Sequence, residues 1–259
     1  MMRFPANQRH WISVKQWVLV SSIMMSTQAI ASPSPQGVTI EKIATGTAFC
    51  VDADGIFLTA HHVVKGRDAI ALGQSGAEKF VKAQLMGFDA DLDVALIKGS
   101  QPCKPFEIAD WSTVPIGLDV VVLGYPSPTF LGRSLKITGG LISGYRRVAD
   151  TVFQLSAAVQ KGNSGGPVIS LDGLLVGLVQ RKLDALKMAE RNGDLVQNVS
   201  YAVNAAALCR FLEANGMKCN AKPLAPSAEK KAHAIYEDHL RSTWMVMAFD
   251  GQRAAVQNP

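Results

Sequence analysis

Two adjacent histidines, His61 and His62 in "LTAHHVVKG", are the natural place to look for proton transfer in this chain. Imidazole changes charge near neutral pH, which makes it the usual general base. The remaining histidines are His10, in a segment read below as a leader, and His233 and His239, in a C-terminal tail. Histidine chemistry in the body of the chain therefore falls on the pair. Adjacent residues of extended chain point to opposite sides, so one ring faces a cleft while the other packs locally or meets solvent. Asp93 begins the apolar run "DVALI". A carboxylate leading into such a run is partly buried and needs a partner, and a histidine N–H is a suitable one. Asp89 and Asp91 compete for that role, although solvated turn positions suit both. Ser164 sits in "QKGNSGGPVIS", where Gly162, Gly165 and Gly166 permit backbone angles that other residues resist. Such a turn can aim consecutive N–H groups at one point, as an oxyanion hole requires. An ordinary glycine-rich hairpin is the bland alternative.

The elements that position these residues read as mostly β. Short runs such as "GIFLTA", "DVALIK", "DVVVLGYP", "TVFQLSAAV" and "GLLVGLVQ" are separated by Gly, Asp, Pro and Ser, a spacing typical of a sandwich or barrel. "DADG" and "SLDG" are Asp-Gly turns between apolar runs and predict hairpins. Helical periodicity comes late, in "NAAALCRFLEANG", which ends in a glycine stop.

The first 31 residues read as a signal peptide. Arg3, Arg9 and Lys15 precede the apolar "WVLVSSIMM", and small residues at 29–31 resemble a cleavage site. The apolar run is about half the roughly 20 residues of a membrane span, so an exported chain with no lasting membrane span is expected. The formal net charge is +5, and loss of the three leader cations leaves +2. That balance gives no reason to expect nucleic acid as a partner. Cys50, Cys103, Cys209 and Cys219 would meet an oxidising compartment, the periplasm or the exterior. Three complete pairings are open; Cys209 with Cys219 is favoured by proximity in sequence, and Cys50 also reads as a small buried hydrophobe. The absence of CxxC spacing speaks against zinc, and no metal or cofactor is expected.

"TAHH", "DVAL" and "GNSGGP", in that order, resemble the His, Asp and Ser motifs of trypsin-like serine proteases. "GTAFCVDADGIFLTAHHVV", "VVVLGYP" and "LKITGGLISG" resemble the bacterial HtrA/DegP type more closely, and the likeness runs over roughly residues 38–205. The family pattern has Thr, two variable residues, then the catalytic histidine. Counting from Thr59, the resemblance implies His62 as base, Asp93 as the residue orienting it, Ser164 as nucleophile, and the N–H groups of Gly162 and Ser164 as the oxyanion hole. It implies an all-β fold of two antiparallel six-stranded chymotrypsin-like barrels, at about 38–110 and 117–204. A helix at about 205–215 follows within a protease domain of 32–216. It also implies protein or peptide substrates. The position six before the nucleophile, Ala158, would form the base of the pocket for the side chain before the cut, with Val159 narrowing it. No carboxylate stands there, so cleavage after small or medium aliphatic residues is expected. Asp184 or Glu190, in the polar stretch 181–198, could still reach the pocket. That stretch is expected to border it and to order on binding.

Two departures stand out. Asn163 precedes the nucleophile where digestive relatives carry aspartate, and no "IVGG"-like start is present, which argues against zymogen cleavage of that kind. The tail, 217–259, is too short for a PDZ domain and reads as a helix in "PSAEKKAHAIYEDHLRS" plus a strand in "TWMVMAF", packed on the protease body or docking a partner. A catalytically weak or silent binding protein, or a chaperone-like one, on the same scaffold is the alternative function.

Overall fold

The computed structural model describes residues 43–145, 151–182 and 199–250. The leader and most of the polar stretch 181–198, including Asp184 and Glu190, lie outside them.

Twelve strands form two closed antiparallel barrels. The first takes β1 (Ala44–Asp52), β2 (Ile56–Ala60), β3 (Ala69–Gly73), β4 (Val81–Asp89), β5 (Val94–Gly99) and β12 (Thr243–Phe249). The second takes β6 (Asp119–Gly124), β7 (Lys136–Tyr145), β8 (Val152–Leu155), β9 (Pro167–Ser170), β10 (Leu175–Lys182) and β11 (Ser200–Asn204). Both Asp-Gly turns close hairpins: Gly55 N donates to Asp52 O, and Gly173 N to Ser170 O. They join β1 to β2 and β9 to β10.

The first barrel is not confined to about 38–110. β12 lies between β1 and β3, pairing Thr47 with Met245 on one side and Leu72 with Val246 on the other. Its residues alternate too little to be a surface strand: Trp244, Met245, Val246 and Ala248 are all buried. Without it β1 and β3 would be open edges with unpaired N–H and C=O groups, which closure removes. The last strand of the tail is therefore a stave of the first barrel, not an appendage on its outside.

Helix α1 (His61–Val64) is a single turn that follows β2, and α2 (Pro128–Leu131) is a second short turn after β6. Helix α3 (Ala205–Ala214) starts where the Asn204 carboxamide oxygen accepts from Ala207 N at 2.8 Å. It buries Leu208, Phe211 and Leu212 in a cluster holding Phe49, Leu58 and Leu96 of the first barrel with Leu123, Leu178 and Val203 of the second. This cluster is the shared core, and each barrel has a further core of its own. Helix α4 (Ala232–His239) adds Ile235 to the shared core. Its last residue, His239, stacks on Phe106 with ring centroids 4.2 Å apart.

Two disulfides tie the chain. Cys209 bonds Cys219, and Cys50 bonds Cys103, so Cys50 is half of a cross-link and not a lone small hydrophobe. The long-range bridge holds the segment after β5 against β1, with a separation of 53 residues against 10 for the other.

Chain entropy ranks the two bridges. Losing Cys50–Cys103 should cost about 4 kcal/mol and losing Cys209–Cys219 about 3 kcal/mol, read by urea denaturation of the paired Cys→Ser variants. The reverse order would mean that native contacts, not loop closure, set their worth. Burial also lowers the pKa of His239 to about 4, opposed by Asp238 and reinforced by Lys104 and Lys230. The unfolded chain then binds the proton first, so stability falls as pH drops from about 6.5 towards 4. His239→Gln should flatten that part of the stability–pH curve; an unchanged slope would show that other groups produce it.

Candidate active site

His62 and Asp93 meet at the rim of the first barrel. His62 Nδ1 lies 2.6 Å from Asp93 Oδ2, and the His62 backbone N–H donates to Asp93 Oδ1 at 2.8 Å. The two bonds fix the ring's position and leave Nε2 as its free nitrogen. They are set by the join of β2 and β5, where His61 N also donates to Asp93 O at 3.0 Å. Asp93 holds a left-handed backbone, φ 56°, that non-glycine residues seldom adopt. Asp89 ends β4 and closes the turn into β5: its Oδ1 accepts from Asp91 N and Leu92 N.

His61 takes the other role. It is buried, and its ring stacks on Phe88 at 4.3 Å with planes 4° apart. The pair does not sit in extended chain. Both residues belong to the turn of α1, where neighbours diverge by about 100° around the axis, still enough to send one ring inward and one outward.

Ser164 arrives from the second barrel on the loop between β8 and β9. Its carbonyl accepts from Thr47 N at 2.9 Å, and Gly165 N donates to Val179 O at 2.7 Å. Gly165 has φ +82°, and a Cβ there would lie 2.3 Å from Thr47 O and 2.5 Å from Ala60 N. Only glycine lets the Ser164 loop touch the backbone two residues before His62. Gly162 has φ +102°, with its Cβ position 2.3 Å from Tyr125 O. Between these glycines Asn163 N donates to Gln160 O at 3.0 Å. Among the described residues the Gly162 and Ser164 N–H groups donate to no carbonyl. Among them, too, no hydrogen bond joins Ser164 to His62, and such bonds commonly tighten only once substrate is in place.

Residues 157–160 alternate buried and exposed. Ala158 is exposed, whereas Val159 is 2 % exposed and belongs to the second barrel's core. Asn163 is buried, and its Oδ1 has no hydrogen-bond partner among the described residues.

Three positioning residues escaped the sequence reading. Thr47 Oγ1 donates to Gly162 O at 2.7 Å and accepts from Tyr125 N at 3.1 Å, while its carbonyl accepts from Thr59 Oγ1 at 2.7 Å. Gln180 Nε2 donates to Leu92 O at 3.2 Å, bracing the residue before Asp93 from the second barrel. Buried Tyr125 donates its hydroxyl to Thr243 O at 3.0 Å, and burial pushes its phenol well above the usual range, keeping it protonated. No local signal marks these residues, since all their partners except Thr59 lie 78 to 118 residues away.

A family model described as "Trypsin-like peptidase domain" matches residues 46–178. That stretch spans half the chain and holds His62, Asp93 and Ser164 together. The chain belongs to the trypsin-like peptidase family. Among curated relatives, "Uncharacterized protein y4bJ" of Sinorhizobium fredii is 33% identical over 225 residues, covering 83% of this chain and 35% of that protein. A "Probable periplasmic serine endoprotease DegP-like" of Halomonas elongata is 32% identical over 152 residues, 56% of this chain and 31% of its own. The chain thus spans about a third of the length of these relatives. Solved structures share the fold: "HtrA-type protease AlgW with decapeptide" at TM-score 0.55 and 24% identity, over 66% of this chain and 51% of its own, and a serine endoprotease from Yersinia pestis at TM-score 0.54 and 22% identity, over 66% and 62%.

The Thr47 hydroxyl serves two buried backbone groups at once. Thr47→Val keeps the shape, strands both, and should cost about 2–4 kcal/mol in urea denaturation, whereas Thr47→Ser should cost under half of that. Equal losses would assign the residue a packing role only.

Proposed function

We propose that this chain is an exported serine endopeptidase that works through His62, Asp93 and Ser164. The observation that carries the reading is the doubly bonded His62–Asp93 pair, brought against the glycine-bracketed Ser164 loop with two unspent N–H groups. Serine is a weak nucleophile until a base takes its proton. His62 accepts that proton as Ser164 Oγ attacks a peptide carbonyl, and Asp93 holds the ring and stabilises the imidazolium. The N–H groups of Gly162 and Ser164 meet the charge growing on the carbonyl oxygen, where one such donor is worth about 3 kcal/mol. The C–N bond then breaks, His62 passes its proton to the departing amine, and water releases the acyl group.

Ala158 serves as the base of the pocket for the side chain before the cut. It brings no carboxylate, so a buried Arg or Lys there would be unpaired, and small or medium aliphatic residues are preferred. Residues 1–31 act as the leader. The two disulfides and the relatives named periplasmic support an oxidising compartment outside the cytoplasm. Among the described residues no helix is long and apolar enough to cross a membrane.

Labelling with a fluorophosphonate, followed by mass spectrometry, should place the adduct on Ser164. His62→Ala should lower peptide turnover by about 10⁶ and Asp93→Asn by about 10⁴, whereas His61→Ala should keep most of it. Cuts profiled in an unfolded protein mixture should fall after Ala, Val or Leu. A folded protein that neither labels nor cleaves would be a binding protein on this scaffold; a majority of cuts after Arg or Lys would overturn the pocket assignment.

A further inference from the structure

A cavity of about 700 Å³ opens beside the oxyanion loop. Its walls include Ile43 ahead of β1, Met245 and Met247 of β12, Phe130 of α2, and the cations Arg133 and Lys161. It joins the site at two points. Lys161 directly precedes Gly162, and its carbonyl accepts from Ser127 N at 2.8 Å. Met245 pairs with Thr47, the residue that clamps the Ser164 loop. Ala158 is not part of its lining, so this recess is separate from the pocket read for the side chain before the cut.

The lining chemistry is specific. Phe130 is 89% exposed and Ile43 55%, so the recess offers open apolar surface beside its cations. The lining holds two cations and no acidic residue. Among the described residues neither Arg133 nor Lys161 is paired with a carboxylate. Arg133 is held over the Phe80 ring at 5.7 Å, which fixes its plane and leaves its edge N–H groups for an anion. The volume lies in the range that encloses a small ligand or a few residues of peptide.

We propose that this cavity binds the substrate segment C-terminal to the cut, and selects there an apolar side chain accompanied by a carboxylate. The inference rests on the serine endopeptidase reading above. A peptide whose carbonyl oxygen lies at Gly162 and whose preceding side chain enters the Ala158 pocket must continue past the oxyanion loop on its other flank. The flank beyond Lys161 is this recess. The apolar side chain lies against Phe130 and Met247, and the carboxylate meets Arg133 and Lys161. It comes either from an acidic side chain or from the substrate's own C-terminus. The segment leaves with the amine on acylation, so the cavity acts on the first half of the reaction.

The test uses the full chain and internally quenched peptides with one acyl half. Their leaving halves are Leu-Asp amide, Leu-Asn free acid, Leu-Asn amide and Gly-Asn amide. Each carboxylate-bearing peptide, or one of the two, should be cleaved about tenfold more efficiently than Leu-Asn amide, and Leu-Asn amide about tenfold more efficiently than Gly-Asn amide. Which carboxylate responds identifies its source. The Arg133→Gln/Lys161→Gln variant should bring the carboxylate ratio to near one, and Phe130→Ser should shrink the Leu-to-Gly ratio; these ratios are internal to each variant and independent of its overall activity. Equal kcat/KM across the four peptides, ratios untouched in the variants, or a carboxylate effect that follows the acyl half would overturn the inference and leave the endopeptidase reading standing. No turnover of any peptide or of a nitrophenyl ester would overturn both.

Discussion

The site depends on one buried hydroxyl. Thr47 stands on the first barrel, yet its main-chain N–H holds the Ser164 carbonyl and its Oγ1 holds the Gly162 carbonyl. It therefore fixes the 162–163 and 164–165 peptide planes, and the plane that carries the Ser164 N–H lies between them. Two six-stranded barrels packed only through apolar contacts can slide, because hydrophobic burial has no direction. Hydrogen bonds do, and the pair from Thr47 sets the register of the nucleophile loop against the histidine turn.

The register of Thr47 depends in turn on the closing of the first barrel. β1 lies between β2 and β12, and the residue across from Thr47 on β12 is Met245. Tyr125, whose N–H reaches Thr47 Oγ1, sends its hydroxyl to the Thr243 carbonyl of the same strand. The end of the described chain is thereby tied to the loop that carries Gly162. The Cys50–Cys103 bridge adds a covalent tie at the far end of β1. An edge strand supplied from the tail is structurally equivalent to one supplied from within the barrel, since the ladder's hydrogen bonds do not depend on sequence order.

Strain and burial are concentrated where chemistry is proposed. Asp93 keeps its left-handed backbone because two bonds to His62 and the brace from Gln180 to Leu92 over-determine the turn. Asn163 carries a buried Oδ1 without a partner among the described residues, beside Gly124, whose missing side chain makes the room. A charged aspartate in that place would be a buried anion without a counter-ion among the described residues, so an uncharged side chain suits the position.

The β character, both Asp-Gly hairpins and the helix at 205–214 were legible in the sequence because their signals are local: alternation, turn chemistry, a cap. The order of "TAHH", "DVAL" and "GNSGGP" was equally legible, and the structure places the His62 ring against Asp93. Other features were not. Nothing near Thr47 or Gln180 in sequence announces partners across the barrel seam, and nothing in "TWMVMAF" says that it slots between β1 and β3. Cys50 found Cys103 through the same closure of distance. Local pattern determines what each segment can become, because it rests on backbone sterics and side-chain period; which segments then share a hydrogen bond is decided only when barrel closure brings distant residues within about 3 Å of each other.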